Sequence, residues 1–178
     1  IKISQSLKVD TAQKRMPHLF RFGMQMVMPG TFDRIQFYGR GPEENYADRN
    51  YYTNLGIYNQ LVSDQYYPYI RPQESGTKTD IRWWKTVDID GRGLLFRSGA
   101  PFSASALDYL QEDLDDGAEK DQRHSGELEP RDLTTMSIDL KQMGLGSVNS
   151  WGAWPLPQYL LPYADYNFSF VIEPVVPR

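Results

Sequence analysis

Acidic side chains at several positions of this sequence have the chemistry that acid–base catalysis needs. Hydrolysis of a glycosidic bond uses two carboxyl groups, about 5 Å apart when configuration is retained and farther apart when it is inverted. Sequence spacing alone brings no two of these glutamates together, and clustered charges more often cap turns or pair with arginines. We therefore predict no catalytic residue among them. The glutamates concerned are Glu43, Glu44, Glu74, Glu127 and Glu129.

The two histidines, His18 and His124, lie far apart in the sequence, and the chain has no cysteine. A metal site built from these residue types is therefore not expected. Glu127 and Glu129 lie close to His124 in the sequence, and a loop histidine more often makes a structural hydrogen bond than it binds a metal.

The glycine-containing stretch GRGPEENYADR, residues 39–49, follows a predicted strand, as a dinucleotide-binding loop would. Glu44 replaces the third glycine of that motif, Pro42 interrupts it and no amphipathic helix follows, so nucleotide binding is not predicted. We predict that the stretch is architectural and ties the strand end to the tyrosine-rich segment 46–71. The residues assigned to this role are Arg40, Glu43, Glu44, Asn45, Asp48 and Arg49.

A second glycine-rich stretch, GLGSVNSWGAWP at residues 144–155, contains two tryptophans without any strand or helix periodicity. Glycines and a proline predict an irregular surface loop, in which a large indole either returns to the core or contacts another molecule. We expect Trp151 to be exposed and Trp154 to hold the loop against the rest of the domain. Trp83 and Trp84 belong to a strand, and we expect at least one of them to be buried.

The elements that must position these residues are mostly strands, because apolar residues alternate with period two along much of the chain. The pattern predicts about eight strands, with LLFRS and FSASAL as separate strands, and one short helix at 108–116. Asp90-Gly91 predicts a hairpin turn. The segment 46–71 is predicted to be a long loop. We expect a single antiparallel β-sandwich domain over residues 1–178.

Composition restricts the classes of partner. The chain has 178 residues and a net charge of −4, which gives no basic surface for nucleic acid or an anionic membrane. No apolar run approaches the roughly 18 residues of a membrane helix. The sequence does not indicate a cellular compartment. Because it opens within a predicted strand, we expect it to be part of a longer protein.

Four loop motifs together resemble the C-terminal, small-chain domain of the beta-galactosidases of glycoside hydrolase family 2. They are YGRGPEENYADR, YPYIRPQESGTKTDIRWW, RHSGELEPRDLT and DLKQMGLGSVNSWG, and they occur in the family's order. The resemblance implies a galactose mutarotase-like antiparallel supersandwich beside a catalytic barrel. It also implies that the barrel holds the catalytic glutamates and the magnesium, so that this chain has no cofactor and is inactive alone.

The resemblance further implies a role for the tryptophan loop. In the family, the tryptophan corresponding to Trp151 forms part of the wall of the barrel's sugar pocket, with Asn149 and Ser150 beside it here. The family often has GGDDSWG where this chain has GSVNSWG, so Val148 and Asn149 depart from the pattern. The implied partners are a galactoside shared with the barrel and, in the parent enzyme, further subunits. The alternatives are a free-standing galactoside-binding module and a sugar mutarotase, which the implied fold suggests with His124 and Glu127 as a base and acid pair.

Overall fold

The protein is described by a computed structural model, which covers residues 1–10, 12, 16–119, 123–146, 149 and 152–177. Regular structure in these residues is nearly all β-strand, with one α-helical turn, α1 (Gln111–Leu114), inside the range predicted to be helical. The strands are β1 (Lys2–Leu7), β2 (Arg21–Pro29), β3 (Arg34–Gly41), β4 (Asn54–Leu61), β5 (Lys78–Val87), β6 (Gly93–Leu107), β7 (Leu133–Gln142) and β8 (Tyr166–Val175).

All strand pairs are antiparallel, and the main path of the sheet runs β1-β8-β6-β5-β3-β4. The sheet branches at β6. The first part of β6 pairs with β8, the last part pairs with β7, and β7 in turn pairs with β2. Residues from six of the strands fill one apolar core. The predicted all-β antiparallel sandwich is confirmed.

Trp84 lies at the centre of that core and is fully buried. Its ring stacks on Phe37 of the neighbouring strand, with ring centroids 5.1 Å apart, and its indole N–H donates to Thr86 Oγ1 at 2.9 Å. Trp83 points to the opposite face and is half-buried, with Lys85 Nζ 5.3 Å from the centre of its ring. The expectation that at least one of the two tryptophans is buried is confirmed.

The hairpin predicted at Asp90-Gly91 joins β5 and β6. Asp88 N–H donates to Arg92 O at 2.8 Å, and Gly91 has a φ of 79°, which favours glycine. LLFRS and FSASAL are one strand rather than two. Pro101 lies between them, and β5 accommodates the missing N–H because its pairing with β6 shifts register around Ile81.

The prediction of a long loop at 46–71 is wrong in the middle of that segment, where β4 forms. This strand is at the edge of the sheet and turns its apolar side chains outward: Leu55 is 48% and Ile57 is 61% exposed. An edge strand with polar residues facing inward does not show the usual alternation of apolar inside and polar outside. The short turn Val62–Asp64 follows it.

Candidate functional site

The loop that contains Trp151 has a well-defined base. It leaves the sheet after β7, and its two ends are joined where Gly144 N–H donates to Tyr159 O at 2.8 Å. The segments on either side are held in the same way: Met143 N–H donates to Phe20 O at 2.8 Å, and Leu19 N–H donates to Leu161 O at 2.8 Å. We call residues 145–158 the tryptophan loop.

Asp48 joins the tryptophan loop to the GRGPEENYADR stretch. Its carboxylate accepts hydrogen bonds from two consecutive backbone amides of the loop, Leu145 N at 3.3 Å and Gly146 N at 2.6 Å. The carboxylate also packs directly against Gly144, where a β-carbon would stand 2.5 Å from Asp48 Cγ. Two motifs nearly one hundred residues apart therefore form one structural unit.

Of the three residues predicted to bind substrate, one is among the residues that the structure describes. Asn149 is exposed in the tryptophan loop, whereas Ser150 and Trp151 lie outside the described residues. The exposure of Trp151 therefore stays a prediction. Trp154 is 58% exposed, and its ring contacts the His18 ring edge to face, with the ring centroids 5.6 Å apart. This contact joins the loop to the segment before β2, alongside the hydrogen bonds of Gly144 N–H and of the Asp48 carboxylate.

Glu44 organises the predicted architectural stretch from a buried position. Its carboxylate accepts from Arg49 Nη2 at 2.7 Å, from Gly76 N at 2.7 Å and from the hydroxyl of Tyr69. The guanidinium of Arg49 also lies over the ring of Tyr46, 4.8 Å from its centre. Burial is the main cause that raises the pKa of Tyr69 above its usual value, so this hydroxyl stays a donor. The cluster connects the end of β3 to the tyrosine-rich segment.

Arg40 and Asn45 hold the beginning of the same stretch to β5. Arg40 Nε donates to Asp80 Oδ2 at 2.7 Å, and Asn45 Nδ2 donates to Arg40 O at 3.0 Å. Asn45 Oδ1 accepts from Thr79 N at 3.0 Å. Asp80 has a φ of 55°, an uncommon conformation for a residue with a side chain, and Arg40 contacts it there.

A cleft of about 440 Å³ opens beside this cluster, and Glu43 and Tyr52 are among the residues on its walls. Lys78 reaches it from β5 although this side chain is almost fully buried. The Lys78 ammonium donates to Gln65 Oε1 and, at 3.3 Å, to Gly76 O. Burial lowers the pKa of Lys78 to about 8, because desolvation disfavours the charged form.

Sequence reasoning missed a buried ionic network between β2 and β7. Arg21 donates to Glu74 Oε2 at 2.9 Å and to Ser137 Oγ at 2.8 Å, and its Nε lies 3.6 Å from Asp139 Oδ2. Burial raises the pKa of Asp139 to about 7, an effect that Arg21 opposes and Glu74 adds to. A glycine inside a predicted strand, Gly23, was the available signal of a close approach. The structure pairs Gly23 with Asp139, where a β-carbon would stand 2.2 Å from the carboxylate.

The side chains of His124 and Glu127 make separate hydrogen bonds to the backbone. Nδ1 of His124 lies 2.9 Å from Ile70 O, and the Glu127 carboxylate accepts from the backbone N–H of His124 at 2.6 Å. The glutamate thus caps the short turn Ser125–Glu127, as capping boxes do. This geometry supports the structural interpretation of His124 and gives the mutarotase alternative no support.

Metal-binding side chains are not clustered in the described residues. No group of three or more histidine, aspartate or glutamate side chains there is arranged to hold a metal ion. Within the same residues no helix has the length and apolar character needed to cross a membrane.

Comparison with known proteins identifies the family. The model of the beta galactosidase small chain matches residues 1–172. A beta-galactosidase of Priestia megaterium is 37% identical over 177 residues, which are 98% of this chain and 16% of that protein. Beta-galactosidase BgaC of Bifidobacterium adolescentis is 35% identical over 162 residues, or 89% of this chain and 15% of that protein. A beta-galactosidase of Streptococcus thermophilus is 34% identical over 162 residues, or 90% and 15%.

These matches confirm the resemblance carried by the four loop motifs. They extend over nearly the whole chain, whereas the chain spans only 15% or 16% of the length of these three relatives. The chain belongs to the beta-galactosidase small-chain family.

Proposed function

We propose that this chain is a non-catalytic domain of a beta-galactosidase and that its tryptophan loop lines the sugar site of a neighbouring catalytic domain. The observation that carries the proposal is the match of 98% of the chain to 16% of a beta-galactosidase. In that relative, the matching segment is one part of a much longer polypeptide. The catalytic glutamates and the magnesium of such an enzyme then belong to the catalytic domain, not to this chain.

The geometry of the loop supports the role given to Trp151. An aromatic side chain binds a sugar by placing its face against the C–H groups of the ring and by excluding water there. This requires a loop that projects from the domain but has a fixed base. Gly144 and Tyr159 close the base, and Asp48 holds the first residues of the loop. In this proposal, Asn149 and Ser150, which precede Trp151 in the sequence, form hydrogen bonds with sugar hydroxyls.

An apolar face on β3 and β4 supports the second part of the proposal, contact with another domain of the same enzyme. Tyr38 pairs with Ile57 and Arg40 pairs with Leu55, so these side chains share one face of the sheet. Tyr38, Leu55 and Ile57 are between 38% and 61% exposed. Covering such a face removes apolar surface from water, at about 25 cal/mol per Å². We assign it to the catalytic part of the polypeptide.

Replacing Trp151 by alanine in the complete beta-galactosidase tests the sugar-site role. The Trp151→Ala enzyme should have a KM for an aryl galactoside raised about fivefold, because an aromatic stack contributes about 1 kcal/mol beyond its buried area. Its melting temperature should stay within about 2 °C of the unchanged enzyme, since a small effect on stability shifts Tm by only a few degrees. Steady-state kinetics and calorimetry measure the two quantities.

Trp154→Ala is the matched control, because Trp154 is in the same loop and is exposed. Its KM should stay within about twofold of the unchanged enzyme, as expected for a surface substitution. The proposal is wrong if Trp151→Ala leaves KM unchanged, or if Trp151→Ala and Trp154→Ala raise it equally.

A further inference from the structure

We propose that Asp48 is a positioning residue for substrate binding, which acts by fixing the tryptophan loop in place. The inference rests on the proposed function, because the loop matters to substrate only if Trp151 contacts the sugar. It assigns to one carboxylate of the GRGPEENYADR stretch a role different from that of its neighbours. Glu44 and Arg49 hold the stretch to the body of the domain, whereas Asp48 holds the loop.

The hydrogen bonds of Asp48 carry the first step. Both carboxylate oxygens accept from the loop, one from Leu145 N and one from Gly146 N, at 3.3 and 2.6 Å. Hydrogen bonds to a charged acceptor are stronger than those between neutral groups. Two bonds to consecutive amides also fix the direction of the chain at that point, since they orient two peptide planes at once. The course of the backbone at Leu145 and Gly146 therefore depends on Asp48.

The glycines of the loop carry the second step. A β-carbon at Gly144 would stand 2.5 Å from Asp48 Cγ, and one at Gly146 would stand 2.9 Å from Asp48 Oδ2. The φ angles of these two glycines are not in the left-handed region, where only Gly76, Gly91, Gly117 and Gly152 are found among the described glycines. The close approach of the Asp48 carboxylate therefore explains why residues 144 and 146 are glycines, whereas their backbone conformation does not require glycine.

The position of Asp48 in the chain carries the third step. Asp48 follows Glu44 and Asn45, both of which are buried and hydrogen-bonded to other parts of the domain. Arg49, the next residue, also contacts Glu44. Asp48 is thus supported on both sides by fixed residues. A loop held to such a rigid support needs little ordering when substrate arrives, so less of the binding free energy is lost to ordering it.

The test compares Asp48→Asn, Trp151→Ala and the double variant in the complete beta-galactosidase. Asparagine keeps the size of the side chain but presents an N–H₂ group to one of the two loop amides. Asp48→Asn should raise KM for an aryl galactoside about fivefold, the size of the lost aromatic stack, while kcat changes less than about twofold. In the Trp151→Ala background, Asp48→Asn should have no further effect on KM, because both substitutions remove the same contact.

Hydrogen exchange gives a readout that does not depend on catalysis. Peptides that contain Leu145 and Gly146 should exchange about tenfold faster in Asp48→Asn, the factor expected for one lost hydrogen bond to a charged group. Asp165→Asn is the matched control. Asp165 is exposed and, like Asp48, accepts from a backbone amide, Val9 N at 3.0 Å, but it lies outside the loop. It should change neither KM nor exchange at Leu145 and Gly146.

Gly144→Ala is a second variant that keeps the carboxylate and displaces it. It should reproduce the higher KM of Asp48→Asn, whereas Gly126→Ala should have no effect, because a β-carbon at Gly126 meets nothing within 4 Å.

The outcomes separate the two proposals. If Trp151→Ala raises KM but Asp48→Asn does not, or if their effects add in the double variant, the role of Asp48 is overturned and the proposed function stands. If Trp151→Ala leaves KM unchanged, the proposed function is overturned. Faster exchange at Leu145 and Gly146 in Asp48→Asn then still supports Asp48 as the residue that holds the loop, and unchanged exchange overturns that as well.

Discussion

Asp139 gives the domain a pH-dependent stability of predictable sign. Burial raises its pKa to about 7 from 3.8, so between about pH 4 and pH 7 the native state binds a proton that the unfolded state has lost. The contribution of Asp139 to stability is complete below pH 4 and is lost as the pH rises through 7. In the unchanged protein, this loss lowers the free energy of unfolding by at most about 4 kcal/mol between pH 4 and pH 7. Asp139→Asn should abolish that decrease.

Urea unfolding of both proteins at several pH values between 4 and 7 measures this difference. Asp90→Asn, an exposed substitution in the β5–β6 hairpin, is the control and should follow the unchanged protein. Equal pH dependence in the Asp139→Asn and unchanged proteins would contradict the prediction and would show that Asp139 is ionised in the native state throughout the window.

Arg49→Ala should destabilise the domain because it removes one partner of a buried carboxylate. Glu44 would keep its hydrogen bonds from Gly76 N–H and from the Tyr69 hydroxyl but would lose its ion pair with Arg49. The ring of Tyr46 would also lose the guanidinium that lies over it. Arg49 is partly exposed, so solvent replaces part of the lost interaction. We expect a loss of about 2 kcal/mol and a melting temperature lower by about 4–8 °C.

Calorimetry measures that change, and Arg92→Ala is the matched control. Arg92 pairs with Asp90 at 2.6 Å, but both side chains are exposed, and exposed pairs contribute little. An unchanged melting temperature in Arg49→Ala, accompanied by altered galactoside kinetics in the complete enzyme, would place Arg49 in the sugar site rather than in the architecture.

Strand periodicity predicts the elements well where one face of the strand is buried. Most strands, the α1 turn and the hairpin at Gly91 follow from the sequence for this reason. β4 does not, because its apolar residues face outward at the sheet edge. β6 does not appear as one strand, because Pro101 interrupts a pattern that continues through it. Both departures depend on neighbouring strands, which local sequence does not describe.

The connections between elements at the site were also beyond local sequence. The contact of Asp48 with Gly146 joins residues 98 positions apart, and that of Arg21 with Glu74 joins residues 53 positions apart. The resemblance to a known family pointed to both Asp48 and the tryptophan loop, but it did not connect them. Nothing in the spacing of the residues indicates that a carboxylate in one motif accepts from amides in the other.

The β5–β6 hairpin allows a prediction in which two glycine substitutions have opposite signs. Gly91→Ala should destabilise the domain by about 1 kcal/mol, because Gly91 has a φ of 79° that alanine adopts at a cost. Gly99→Ala, in β6, should stabilise it slightly, by about 0.5 kcal/mol, since its β-carbon meets nothing and alanine restricts the unfolded chain. Chemical denaturation measures both, and a change of the same sign in both variants would contradict the turn assignment.

At the scale of the whole molecule, the distribution of carboxylates explains why we expect no hydrolysis by this chain. Glu74 and Asp139 are both paired with Arg21; Asp139 is buried and Glu74 is half-buried. Glu44 is buried and bonded to Arg49 and Gly76. A glycosidase needs two carboxyl groups at the base of an accessible pocket. In the described residues, these three carboxylates serve the structure instead.

The purified chain should therefore show no turnover of an aryl galactoside under conditions in which the complete enzyme is active. It should also bind galactose weakly if at all, because in the proposed function the tryptophan loop supplies one wall of a site whose other walls belong to the catalytic domain. Chromogenic assay and calorimetric titration measure the two properties. Turnover that disappears in Glu43→Gln would make the chain an enzyme in its own right. Tight galactoside binding by the chain alone, lost in Trp151→Ala, would make it a free-standing binding module, since a complete sugar site would then lie within it.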